Sequence, residues 1–398
     1  MTQQTASLEK QKSFNLITAI LLILPLILLG GVIALFLSTG GGLQLAAPAP
    51  VEALTLERTI LKPGSIDIIL RNSGPEEVTL AQAVINEAIW PMTVSPAPTI
   101  PRLGEARIHL NYNWSEGEAY GLTLFTTNAI AFEVEIPVAF TTPEPTGATF
   151  WSFTLIGIYV GIIPIYLGVL WFPALRRLSR PWMVFLLAVT AGLLIFLGID
   201  TLAEGLEQVE GVPGPFQGVG LIGIGATATF LLLDTISRRQ AAAGKSVVNQ
   251  RLRLAYMIAT GIGLHNLGEG LAIGAAYNLG EIALGSFLVV GFIIQNITEG
   301  LGIIAPILRD RPNLGSLALL GFVGGMPAVV GAWLGGFAPS PTLAVLFLAI
   351  GAGAIFQVVY EITKLIRQDT AQEPLPLTVF SGVVAGMLLL WVTGLFIK

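Results

Sequence analysis

Two copies of one hexapeptide stand thirty residues apart in this 398-residue chain: His265-Asn266-Leu267-Gly268-Glu269-Gly270 and Gln295-Asn296-Ile297-Thr298-Glu299-Gly300. Both lie inside long apolar stretches. A charged side chain at the centre of a bilayer costs about 2.5–3.5 kcal/mol on insertion scales. Glu269 and Glu299 therefore require compensation by a cation, a proton or a partner side chain. At about 3.6 residues per helical turn, positions i and i+4 stack on one face. His265 then sits beside Glu269 and Gln295 beside Glu299, with Asn266 and Asn296 one residue round each helix. If the two helices face each other, an imidazole, amide oxygens and two carboxylates converge. Two carboxylates neutralise a divalent ion, and mixed nitrogen and oxygen donors suit zinc, iron(II) or manganese. The competing reading is a set of polar residues hydrogen-bonded across helices, as membrane helices often have. Two matched copies that both keep the acid favour the cation.

The composition sets the surroundings. The chain is 54% hydrophobic and 11% charged, against about 25% charged in soluble domains, which points to a polytopic α-helical membrane protein in contact with the lipid bilayer. The net charge of −5 says little, because charge in such proteins is segregated by side. With no cysteine, disulfides and thiolate metal sites are excluded. The two histidines, His109 and His265, limit a metal site to one imidazole unless His109 arrives from far away. No Gly-x-x-x-x-Gly-Lys-Ser/Thr motif for nucleotide binding is present, and nothing points to nucleic acid.

Taken in order, the chain predicts three parts. Residues 1–38 comprise a polar start with Lys10 and Lys12 and an apolar run over 14–37, long enough for a span of about 20 residues. It reads as a retained anchor helix, with a cleaved signal peptide as the alternative. Residues 39–148 begin with a Gly-, Ala- and Pro-rich linker and then alternate. Ile66, Ile68 and Leu70 alternate with Ser65, Asp67 and Arg71; Ile108, Leu110 and Tyr112 with Arg107, His109 and Asn111; Phe132, Val134, Ile136 and Val138 with Glu133, Glu135 and Pro137. Such alternation predicts half-buried strands, separated by turns at Pro63-Gly64, 72–75 and Glu116-Gly117. A small β-sandwich, immunoglobulin-like, is expected, with His109 solvated on its polar face. Residues 149–398 hold eight apolar segments, near 150–175, 182–206, 216–237, 252–277, 281–308, 314–337, 341–366 and 376–397. With nine crossings, fourteen of the twenty Lys and Arg fall on one side. The positive-inside rule then places the N-terminus in the cytoplasm of a cell-membrane protein, and the β-domain and C-terminus outside.

The paired hexapeptides resemble helices four and five of the ZIP (ZRT/IRT-like) metal transporters, and the resemblance extends more loosely over residues 150–398. It implies an eight-helix bundle that moves divalent metal toward the cytoplasm, with the first, fourth, fifth and sixth helices shifting against the others, and a homodimer. It implies a metal site of His265, Glu269, Gln295 and Glu299, with Asn266 and Asn296 as secondary ligands. It also suggests Asp200, Glu204, Asp234 and Glu361 along the route, although each has a plain alternative: the first three as solvated helix ends, Glu361 as an i,i+3 partner of Lys364. Departures from the family pattern are Gln295 in place of His, Gly268 and Thr298 in place of Pro, and no acid near Ala328, which implies one site rather than two. Gln, a neutral oxygen donor, suits iron(II) and manganese as well as zinc, and cadmium is a further candidate. Two other classes stay open: a metal-sensing receptor that has lost transport and whose β-domain binds an unknown partner, and an intramembrane metallohydrolase, for which a second His and an adjacent base are missing. The chain is read as a transporter, not an enzyme.

Overall fold

The computed structural model describes residues 16–39, 51–242, 247–278 and 282–395. The polar start with Lys10 and Lys12, nearly all of the 39–49 linker, Lys245 and Lys398 lie outside the described residues. The chain divides into two compact units, Met1–Val51 and Glu52–Lys398. The first contains α1 (Leu16–Thr39), a 24-residue helix with Pro25 inside it. Its large apolar side chains from Leu26 to Phe36 are exposed, as a lipid-facing helix requires.

The second unit opens with nine strands: β1 (Leu54–Lys62), β2 (Ser65–Asn72), β3 (Val78–Ile85), β4 (Ala88–Trp90), β5 (Met92–Ser95), β6 (Thr99–Ile100), β7 (Glu105–Leu110), β8 (Tyr120–Thr126) and β9 (Ala131–Ile136). They form two antiparallel sheets, ordered β1-β2-β7-β5 and β4-β3-β8-β9, with β6 also paired to β3. Ile66, Ile68, Ile108 and Leu110 of one sheet share a core with Leu80, Leu122, Leu124 and Val134 of the other. Gly64 and Gly117 adopt φ of +80° and +82°, the left-handed conformation their turns demand. Two details differ from simple alternation. Asp67, on the expected polar face, is 3% exposed. Across the ladder it faces His109, and Arg107 Nη2 (2.5 Å) and His109 Nδ1 (2.7 Å) both donate to it. His109 is thus the partner of a buried acid rather than a free surface residue. Val138 lies beyond the end of β9 and is exposed.

Helices follow: α2 (Gly147–Gly157), a π turn (Ile158–Ile162), α3 (Ile163–Val169), α4 (Phe172–Leu175), α5 (Arg180–Gln208), α6 (Gly218–Ala242), α7 (Val247–Asn278), α8 (Ile282–Ile304), α9 (Leu314–Phe337), α10 (Pro341–Asp369) and α11 (Pro376–Gly394). Among the described residues, six stretches are long and apolar enough to cross a membrane: Gly147–Leu175, Arg180–Gly211, Gly214–Arg239, Gly285–Ile307, Leu314–Phe337 and Pro341–Asp369. By length and composition this is a multi-pass membrane protein. The count is lower than the eight apolar segments suggest. Helix α7, which carries His265, Asn266 and Glu269, is not among the six, and the apolar stretch Pro376–Val392 of α11 is shorter. The main helical core is built from Ile165, Leu187, Leu197, Ile258, Ile303 and Ile355 with their neighbours.

Candidate metal centre

The two hexapeptides sit on α7 and α8, and these helices bring their acids together. His265, Glu269 and Glu299 are buried, and one ligand atom from each lies within 4.8 Å of the others. Among the described residues this is the only such group of His, Asp and Glu. His265 Nε2 lies 3.5 Å from Glu269 Oε1, within one helical turn.

The neighbours decide what each side chain presents. Thr201 on α5 gives its hydroxyl proton to Leu197 O one turn back (2.7 Å). Its oxygen, 2.9 Å from His265 Nδ1, is left to accept. In the neutral ring this contact places the proton on Nδ1 and leaves the Nε2 lone pair free. Asn266 Nδ2 donates to Gly324 O of α9 at 3.0 Å, and Asn296 Nδ2 to Val160 O at 3.0 Å and Glu269 Oε2 at 2.8 Å. A carbonyl oxygen only accepts, so these bonds orient both amides and leave their Oδ1 atoms as acceptors. Val160 lies in the π turn, and Pro164, four residues on, lacks the N–H that an α-helix would offer its carbonyl. Gln295 donates Nε2 to Glu299 Oε1 across 3.5 Å, a long contact that supports the carboxylate rather than adding a fourth converging acceptor. Thr298 spends its hydroxyl on Gln295 O (2.7 Å).

The result is a set of unfilled acceptors at and beside the three converging residues. His265 Nε2, Asn266 Oδ1, Glu269 Oε1, Asn296 Oδ1 and Glu299 Oε2 are all buried without a hydrogen-bond partner. An unsatisfied buried polar atom costs about 1–3 kcal/mol, and acceptors that face one another repel. Lone pairs gathered in this way fit a positive charge, and nitrogen plus oxygen donors fit a first-row divalent ion. There is no room for the acid of a second site at Ala328. That residue is fully buried, and a methyl group on Gly161 or Gly270 would stand 2.6 Å from its Cβ or 2.1 Å from its carbonyl oxygen.

None of the other acids named from sequence is among the three converging residues, and Glu204 is the one that interacts electrostatically with His265 and Glu269. Glu204 stands on α5 one turn beyond Thr201, partly exposed, and accepts from Gln208 Nε2 at 3.4 Å. Asp200 is partly exposed on the same helix. Asp234 pairs with Arg238 (2.6 Å). Glu361 accepts from Ser237 Oγ (2.7 Å) and Lys364 Nζ (3.2 Å), so its local partner is indeed Lys364. Gln208 also lines a cavity of ≈ 620 Å³ between the β-domain and the helix ends, bordered by Leu56, Arg58, Leu271, Ala275 and Pro341. Gln208 and Glu204 thus mark a polar line along α5 from the cavity toward Thr201 and His265.

Thr201, Val160 and Gly324 were not legible as part of the site. Pro164 was the one local signal, since it frees the carbonyl four residues before it. Compared with known proteins, the chain matches no family model and no curated protein.

Proposed function

We propose that this protein is a divalent metal ion transporter, in which His265, Glu269 and Glu299 hold the ion within the membrane helices and Asn266, Asn296 and Gln295 assist. The observation that carries the reading is the convergence of His265, Glu269 and Glu299 at one buried point, each with an acceptor atom that has no hydrogen-bond partner. A purely structural polar network would satisfy its members across helices; here Asn266 and Asn296 each donate to a carbonyl outside the site, and an acceptor atom on each of His265, Glu269 and Glu299 is left without a partner. The ion is substrate, not a resident group. Entry runs from the cavity past Gln208 and Glu204, where carboxylates raise the local cation concentration, and release is toward the arginine-rich side. The resemblance of the paired hexapeptides to those of ZIP transporters supports the same reading. On it, residues 149–398 form an eight-helix bundle, with α7 and α11 spanning alongside the six more apolar helices, and the two β-sheets form an extracytoplasmic, immunoglobulin-like sandwich. Zinc, iron(II) and manganese are the expected substrates.

The test is uptake of zinc, iron(II), manganese and cadmium into proteoliposomes by the full chain, with Glu269→Ala and Glu299→Ala as paired controls. Saturable uptake lost in both variants is expected. Metal bound at the site with no flux of any ion would overturn the transporter in favour of a sensor.

A further inference from the structure

The helices of residues 147–394 fall into two groups by how closely their backbones meet. In the first, α2, α3, α7, α8 and α9 interlock. A methyl group on Gly263, Gly270 or Gly274 of α7 would lie 2.4, 2.1 or 2.4 Å from a carbonyl oxygen of α9, and one on Gly168 of α3 would lie 2.3 Å from Ile297 O of α8. In the second, α5, α6, α10 and α11 do the same. A methyl on Gly192 would stand 2.1 Å from Val383 O, on Gly386 2.1 Å from Val189 O, and on Gly353 2.2 Å from Ala226 O. Across the seam between α7 and α10 the contacts are ordinary. Gly261 would reach Val358 Cγ2 at 3.5 Å, Gly351 would reach His265 N at 3.4 Å, and Gly268 meets the flexible end of Leu348. Each group is keyed backbone to backbone, whereas no described glycine would bring a Cβ closer than 3.4 Å to a backbone atom of the other group.

Polar links across this seam are concentrated at one end. Near its middle Thr201 joins His265. At the end of α7 and α10 away from the cavity, Asp369 closes α10. Its backbone carbonyl is tied to its own group, accepting from Arg180 Nη2 of α5 at 2.7 Å. Its carboxylate is taken by the other group: Arg251 Nη2 of α7 lies 3.4 Å from Oδ1, and Arg309 Nη1, after α8, lies 3.4 Å from Oδ2. Arg251 also reaches Asp310 at 3.8 Å. Beside them Arg253 of α7 donates to Ser237 O of α6 at 2.8 Å. Side-chain exposures of 15% for Arg251 and 13% for Asp369 keep these charges largely out of water, where an ion pair is screened least. At the opposite end of the same seam the groups part to form the cavity, lined by Leu271 and Ala275 on one side and Gln208, Pro341 and Ala344 on the other.

We propose that Asp369, held by Arg251 and Arg309 and supported by Arg253 on Ser237, is a bolt that keeps one end of the seam shut while the cavity end is open, and that its release permits the shift of the two helix groups that the resemblance to ZIP transporters implies, opening the bolted end. This deepens the transporter reading and rests on it: Asp369 becomes the residue that sets access to the buried site from the arginine-rich side.

The chain has no cysteine, so single introduced thiols report cleanly. Val358, 1% exposed, faces Gly261 across the seam and becomes Val358→Cys. Ala188, fully buried beneath Gly382 inside the second group, becomes the control Ala188→Cys. Full-length protein in oriented proteoliposomes is exposed to a membrane-impermeant maleimide from the arginine-rich side. Adding Asp369→Asn is expected to speed labelling of Val358→Cys at least about tenfold, with Arg253→Gln adding to it, while Asp369→Glu stays near the parent and Ala188→Cys stays unlabelled. An unchanged Val358→Cys rate overturns the bolt. An equal rise at Ala188→Cys also overturns it, since the ion pairs then hold the fold rather than the seam. The readout needs no metal, so failure of the transporter reading shows in the uptake assay and failure of the bolt shows here.

Discussion

Thr201→Val isolates the one contact that sets the form of the imidazole. Valine keeps the shape of threonine and removes the oxygen that accepts from His265 Nδ1 at 2.9 Å. Both residues are buried, at 1% and 4% exposure, so no water replaces the lost partner. With a metal on Nε2 the proton must stay on Nδ1, and an unpaired buried donor costs about 1–3 kcal/mol. The metal-free protein escapes part of this by turning the ring or moving the proton to Nε2, beside Glu269. The cost therefore falls on the bound state, and at about 1.4 kcal/mol per decade it weakens binding about 5- to 150-fold. Outer-shell partners of metal-bound histidines are typically worth about 10–100-fold. The assay is competition against a chelating dye with purified full-length protein at neutral pH, beside Thr201→Ser, which keeps the oxygen, and Glu269→Ala, which removes a ligand. Thr201→Ser is expected to stay near the parent. A Thr201→Val affinity within about twofold of the parent, in a preparation where Glu269→Ala abolishes binding, refutes the argument that Thr201 holds the ligand tautomer.

Two further predictions concern the frame. Gly335→Ala places a methyl 2.0 Å from Leu271 O, which forces α9 away from α7 and shifts the Glu269 turn. Overpacking of this kind costs about 1–3 kcal/mol, so a clear fall in Tm and weakened metal binding are expected. Gly223→Ala, with nothing within 4 Å of its added carbon, should keep or slightly raise Tm; equal behaviour of the two variants in a thermal melt would refute the close-packing argument. In the β-domain, burial by itself would raise the Asp67 carboxyl, but hydrogen bonds and charge from Arg107 and His109 hold it below its ordinary value of 3.8. A carboxylate depressed in the folded state lends stability that is fully present above the unfolded value of about 3.9 and is lost as pH falls through the lower folded value. Amide exchange of β2 and β7 in the full chain, corrected for intrinsic rates, should therefore accelerate in the wild type as pH drops below about 4. Asp67→Asn should be weakened at neutral pH and nearly flat over that range; an acid dependence that survives in Asp67→Asn would remove Asp67 as its cause.

Much of the site could be read from the chain because the information is local. The i,i+4 spacing places His265 over Glu269 and Gln295 over Glu299 on any helix, and apolar flanks make those acids costly unless something positive meets them. The break in composition near residue 148 and the period-two alternation before it separate strands from helices for the same reason. What the chain in isolation did not determine depends on partners distant in sequence. Thr201 lies 64 residues from His265, and only the packing of α5 against α7 turns a common membrane threonine into the group that sets a tautomer. Val160 O becomes an acceptor for Asn296 because a π turn, Pro164 and the close approach of α3 to α8 coincide. Asp67 reads as a surface residue from alternation, and is buried because two long side chains on β7 fold over it. Which glycines key the helices into their two groups is likewise tertiary. Forty-six glycines announce close packing somewhere, but which backbones they bring together is settled by the packing itself, through carbonyl oxygens that leave no space for a Cβ.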